Sequence, residues 1–206
     1  MPNVSASSAA RQLLFQWVTA EAPLHLALQA TDPAALRLGL QRAATFFHTV
    51  RNLRRSADDD ANVPRLELLR RSFADVTTAD ASEKSFVSTT MTLASAIGEQ
   101  YGGRSYLSLA SKLLWTRFRH PFVIYDSVLR SALRTPSGDY PSYIAAWNAR
   151  YLDEEASISA ACQALAASRP PSFRDLQLST GEAAELLESE WFRRRVLDIL
   201  LWQRGV

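Results

Sequence analysis

Apolar residues recur along this chain every three to four positions, and strict apolar–polar alternation is nearly absent. That period predicts an almost wholly α-helical protein. Ser7 and Ser8 are placed to cap a first helix, which carries Leu13, Leu14, Trp17 and Val18 on one face and ends at Pro23. Thr31-Asp32-Pro33 opens the next helix, with a capping residue followed by proline at the first helical position. Its stripe of Leu36, Leu40, Ala43, Phe47 and Val50 runs to about Arg55. His48 lies on this helix among aromatics and reads as a core or rim residue.

The polar run Asp58-Asp59-Asp60-Ala61-Asn62 interrupts the pattern. A short helix follows from Pro64 to about Val76, with Leu66, Leu69 and Phe73 inward. Residues 78–83 fit a cap with Glu83 in the first turn of a helix that carries Phe86, Val87, Met91, Leu93, Ala94 and Ile97 and stops near Gly102-Gly103. Residues 105–118 form another, with Leu107, Ala110 and Leu114 on one stripe and Lys112 and Trp115 off it on a shared face. His120-Pro121 forces a break, residues 122–125 are extended or form a tight turn, and Asp126 stands where a helix over 127–133 begins. A turn at 136–139 leads to an aromatic-rich helical region over 140–167. A linker at Ser168-Arg169-Pro170-Pro171 precedes a helix starting at Thr180 with Glu182 or Ala183. Residues 190–203 supply the last helix, with Trp191, Val196, Ile199, Leu200 and Trp202 packing it down.

With 206 residues, 47% of them hydrophobic, the chain suits one helical domain over 1–206, compact and two-lobed, with lobes at 1–100 and 101–206. No apolar run is long enough to span a bilayer. The first residues lack a secretory pattern. Cys162 is the only cysteine, which excludes an intramolecular disulfide and a multi-cysteine zinc site. A cytoplasmic location, no membrane partner and a monomer are the expectation. His25, His48 and His120 have no ligand spacing, and the three adjacent aspartates lack the spaced oxygens and glycine of a calcium loop. No metal and no cofactor are therefore expected. A glycine-rich phosphate loop, a Gly-x-Ser-x-Gly elbow and a metalloprotease helix motif are all missing.

The net charge of +2 does not identify a nucleic-acid binder, but arginines cluster, at 117 and 119 and at 193–195 among other places. Arginine forks suit phosphate. Lys112 is one of two lysines in a chain otherwise charged by arginine. Asp126 lies between Phe-Val-Ile-Tyr and Val-Leu, the only acid read here as having such an apolar setting. An acid so placed needs a cation or a task.

Ser111-Lys112-Leu113-Leu114, a short spacer, then Pro121-Phe122-Val123-Ile124-Tyr125-Asp126-Ser127-Val128-Leu129-Arg130 resembles the catalytic segment of the helix-hairpin-helix superfamily of DNA glycosylases. The resemblance also extends to segments linked with phage defence. It implies a two-lobed all-α fold, double-stranded DNA as partner, and hydrolysis of the N-glycosidic bond of a flipped base, with no cofactor. Asp126 matches the family's essential aspartate. Lys112 matches its lysine, as an ion-pair partner of Asp126 or as a nucleophile. Tyr101-Gly102-Gly103-Arg104 is the candidate for the phosphate-gripping hairpin, so Gly102, Gly103 and Arg104, with Arg117 and Arg119, would hold DNA phosphates. Trp115, Tyr106, Tyr125, Tyr143 and Trp147 are the candidates for stacking on the flipped base. The substrate implied is a modified base of phage DNA, such as glucosylated hydroxymethylcytosine. Two other readings stand beside this one: a non-catalytic helical module that binds DNA or protein, and a metal-dependent nuclease built on the three-aspartate loop.

Overall fold

The computed structural model describes residues 5–49, 53, 66–102, 105–168 and 178–205. Among them every regular element is helical, so the chain is all-α as its periodicity predicts. No helix among them is long and apolar enough to cross a membrane. Contacts divide the chain into a discontinuous unit, Met1–Ala22 with Asp126–Val206, and an inserted unit, Pro23–Tyr125. The lobes expected from sequence met near residue 100. Instead, the first 22 residues group with those beyond 125.

In the discontinuous unit, α1 (Ala6–Gln16) is capped by Ser5, whose side chain accepts from the Ser8 N–H. The cap thus lies two residues before the expected Ser7. Pro23 does not end this helical stretch either. The backbone passes through a π-helical segment, Trp17–Glu21, into α2 (Ala22–Ala27), where Pro23 occupies the second position. A proline interrupts regular i→i−4 bonding, and local π winding is one way to absorb the interruption.

The inward face of α1 is Ala6, Ala9, Ala10, Leu13 and Leu14. It packs on α8 (Tyr140–Ser168) and α10 (Glu190–Gly205). Every residue of α10 from Arg195 to Leu201 is buried, because α1, α7 (Ser127–Ala132), α8 and α9 (Thr180–Glu188) all pack against it. Trp202, expected to help pack it, is half exposed. Ser179 caps α9 in a reciprocal box with Glu182, one residue before the expected start.

In the inserted unit, α3 (Pro33–Phe46) begins as its sequence predicts, with Asp32 accepting the Ala35 N–H at 2.8 Å. It stops well short of residue 55. His48 turns left-handed at φ 55°, His48 N–H donates to Thr45 O, and Thr49 N–H donates to Ala44 O. That closure is a Schellman turn made without glycine. The run 58–62 and Pro64 lie outside the described residues; α4 spans Glu67–Ala74. The expected cap at 78–83 is a 3₁₀ turn, Thr78–Asp80, closed by Thr77 and Asp80. Glu83 instead meets His120 Nε2 at 2.8 Å. α5 (Phe86–Tyr101) ends at left-handed Gly102, as expected.

α6 (Leu107–Phe118) has no solvent stripe: Leu107 and every residue from Leu109 to Thr116 are buried. α2 and α3 approach so closely that a Cβ on Gly39 would lie 2.8 Å from the Ala27 carbonyl oxygen. Gly39→Ala is expected to lower stability by about 1–3 kcal/mol through overpacking, despite alanine's better helix propensity. A shift of the urea midpoint to higher concentration would contradict that close approach.

Candidate functional site

Asp126 is the N-cap of α7. Its backbone is extended, at φ −138° and ψ 149°, and its side chain accepts the Val128 N–H at 2.9 Å. The position suits a negative charge. The carboxylate is part-exposed rather than sealed in the protein. The lead-in Phe122–Ile124 and Tyr125 is buried throughout. A hydrogen bond from Tyr125 N–H to Ser111 Oγ, at 2.9 Å, ties its end to α6. Both groups are buried, so Ser111→Ala leaves a backbone N–H without its acceptor. We expect a stability loss of about 1–3 kcal/mol, read from denaturant unfolding. A neutral outcome would mean that this bond does not hold the segment.

Lys112 is 8% exposed on α6. Its Nζ lies over the Phe47 ring, 5.8 Å from the centroid, which is a cation–π contact. Lys112 belongs to the inserted unit, and Asp126 opens the second segment of the discontinuous one. The candidate set divides in the same way. Tyr106, Trp115, Tyr125, Gly102, Arg117 and Arg119 fall in the inserted unit, and Tyr143 and Trp147 in the other. Gly103 and Arg104 lie outside the described residues.

All five candidate stacking rings are buried, none more than 8% exposed. Two of them have plain structural work. Tyr106 donates its hydroxyl to the Tyr101 carbonyl at 3.0 Å, while Tyr101's own hydroxyl accepts the Leu69 N–H in the first turn of α4. Trp147 donates its indole N–H to Asp198 at 2.7 Å and stacks on Tyr151. Tyr106 also borders an open cleft of about 390 Å³, with Met91, Gly98, Glu99 and Leu107. In this conformation the rings belong to the core, and a base could stack only on one that moved.

The two arginines at the end of α6 are half-buried, and burial lowers the pKa of each. Arg117 is held between rings, 5.1 Å from the centroids of both Phe73 and Phe118, and its Nη1 donates to the Phe73 carbonyl. Arg119 turns left-handed at φ 62° and closes the helix. The last carbonyls of α6 are satisfied from α2 and the residues after it. His25 Nδ1 meets Thr116 O at 2.8 Å, and Gln29 donates to Arg117 O at 2.5 Å. A carbonyl can only accept, so Nδ1 carries the proton. Burial, with Arg119 nearby, pulls the His25 pKa below its ordinary value against the opposing effect of the Thr116 bond. Arg119 here completes a helix end, where a cation suits the helix dipole.

Asp126 is not the most enclosed acid among the described residues: Glu21 is more enclosed, and so is Asp198, which is 2% exposed. It forms a cluster with Arg195 (7%) and Glu21 (0%). Arg195 Nη2 donates to Glu21 Oε1 at 2.9 Å and Nη1 to Asp198 Oδ2 at 3.2 Å. Gln16 also donates to Glu21 Oε1. The signal was present in Val196-Leu197-Asp198-Ile199-Leu200-Leu201, an acid inside an apolar run on both sides.

Among the described residues no group of three or more His, Cys, Asp or Glu is arranged to hold a metal ion. Cys162 is buried, and burial pushes its thiol up to about 11, so it is a poor nucleophile where it stands. The chemistry of these residues must carry the functional reading by itself, because the chain matches no family model, no curated protein and no solved structure.

Proposed function

We propose that this chain is a DNA N-glycosylase whose catalytic carboxylate is Asp126. The observation that carries the reading is a part-exposed aspartate at a helix mouth, where its side chain caps α7. Breaking the bond between C1′ and the base nitrogen leaves positive charge on the sugar as the base departs with the electron pair. A fixed carboxylate stabilises that charge and takes a proton from the water that adds to C1′. Lys112 serves as counter-charge to Asp126 or as an amine nucleophile. The substrate is a modified base in double-stranded DNA. Glucosylated hydroxymethylcytosine follows from the sequence resemblance alone.

The test is incubation with modified and unmodified phage DNA, followed by mass spectrometry of released small molecules and a count of abasic sites. Base release that persists in EDTA supports the reading and separates it from a metal-dependent nuclease. Intact DNA across the whole panel counts against it.

A second reading, a helical module that binds DNA or protein without chemistry, is favoured by two observations. All five candidate stacking rings are buried, and Asp126 already has a structural task as the α7 cap. DNA binding without any abasic product would select it.

A further inference from the structure

We propose that the Glu21–Arg195–Asp198 cluster is a proton-binding site that tightens the discontinuous unit on mild acidification, with Asp198 as the acceptor. Two carboxylates share one guanidinium in a buried setting, so the fully ionised cluster carries one uncompensated negative charge. Burying an unbalanced charge is costly, and a proton is the smallest species that removes it. Glu21 Oε2 is buried with no hydrogen-bond partner among the described residues, which adds to the cost of its charge. A proton on Asp198 removes the cluster's surplus charge.

The surroundings favour Asp198. Its own helix brings Arg195, and the π segment brings Glu21. From α8 come the Trp147 indole N–H and the phenol of Tyr143, whose ionisation is opposed by burial and then by the charges of Asp198, Tyr140 and Asp126. Asp126, at the start of α7, is thus within electrostatic reach of the same tyrosine. The inward residues of α1 and α9 are apolar, Leu13, Leu14, Ala183 and Leu187 among them. Burial pushes the Asp198 carboxyl up to about 6, against the pull of Arg195 and the Trp147 bond, with Glu21 adding to the rise. The folded unit therefore holds this proton more tightly than the unfolded chain. The stabilisation is complete below the ordinary aspartate range and is lost as pH rises through the folded value.

The Trp147 indole reports on this site directly, because it donates to Asp198. The experiment is a pH titration of the ¹⁵N-labelled full chain, following the indole resonance assigned by Trp147→Phe. In the wild type that resonance is expected to move along one curve centred near 6. Glu21→Gln removes one negative neighbour and should lower the midpoint, and Asp198→Asn should abolish the transition. Amide protection in α8 and α10, corrected for intrinsic exchange, should rise at least several-fold on going from about pH 7.5 to about pH 5. A flat wild-type titration overturns the proposal even if neither variant folds. So does a midpoint indifferent to Glu21→Gln, a transition that survives Asp198→Asn, or protection that falls with acid.

Discussion

Arg195→Leu is expected to cost about 3–5 kcal/mol at neutral pH, enough to unfold a domain of ordinary stability or bring it close to unfolding. The substitution removes the guanidinium that bridges Glu21 and Asp198 and leaves both carboxylates buried. Leucine returns some apolar contact, but far less than the cost of two uncompensated acids. Asp198 would then be forced further toward its protonated form, so part of the loss should be recovered as pH falls. Converting the cluster to Glu21→Gln, Arg195→Leu and Asp198→Asn together should recover much more. Neutral side chains carry no buried charge, and asparagine still offers an oxygen to the Trp147 indole. Guanidinium unfolding at two pH values, followed by far-ultraviolet circular dichroism, reads all of this. A single Arg195→Leu variant within about 1 kcal/mol of wild type would mean that the cluster is not buried as described.

Asp126→Asn separates chemistry from architecture at the other key position. Asparagine is as good an N-cap as aspartate and still accepts the Val128 N–H, so the cap's contribution to stability should change by less than about 1 kcal/mol. What disappears is the charge. If the carboxylate balances a developing sugar cation and takes a proton from water, base release should fall by roughly 10²–10⁴-fold. Asp126→Ala should lose the activity and also about 0.5–2 kcal/mol of stability from the lost cap. Single-turnover base release together with a melting curve distinguishes the outcomes. Equal release by wild type and Asp126→Asn ends the catalytic assignment. A large drop in melting temperature for Asp126→Asn, with DNA binding retained and no abasic product, selects the non-catalytic module.

Where helix signals were local, the sequence disclosed them. Asp32-Pro33 and Asp126 each mark a helix start because a side-chain oxygen satisfies an N–H within three residues. Gly102 marks a stop because glycine takes the left-handed turn at little cost. His48 takes the same kind of turn without being glycine, so the end of α3 left no readable mark. Pro23 misled for a related reason: the winding that accommodates it is a property of the backbone, not of a residue type.

The candidate site was legible only in part. Apolar flanks drew attention to Asp126, which proves to be part-exposed. Flanks of the same kind around Asp198 hid a fully enclosed acid that shares Arg195 with Glu21, 174 positions from that arginine. Sequence spacing within one helix can pair Arg195 with Asp198, but no periodicity joins residue 21 to residue 195. The buried rings follow the same logic. A tyrosine or tryptophan at helical spacing serves a core and a base-stacking surface equally well, and only packing decides between them.

The π segment has a bearing on how this chain tolerates change in length. A wide turn holds about one residue more than an ordinary α-turn over the same stretch of axis. Deleting a single residue such as Thr19 would remove that surplus and leave four residues to cover the stretch with α-winding, so the residues after it would keep their facing. Pro23 lacks the N–H for that winding and would bend the axis there. The carboxylate that meets Arg195 closes the wide turn, next to Ala22, and would stay on its side of the axis. A one-residue deletion, usually ruinous inside a helix, would here keep a buried ion pair and add a kink.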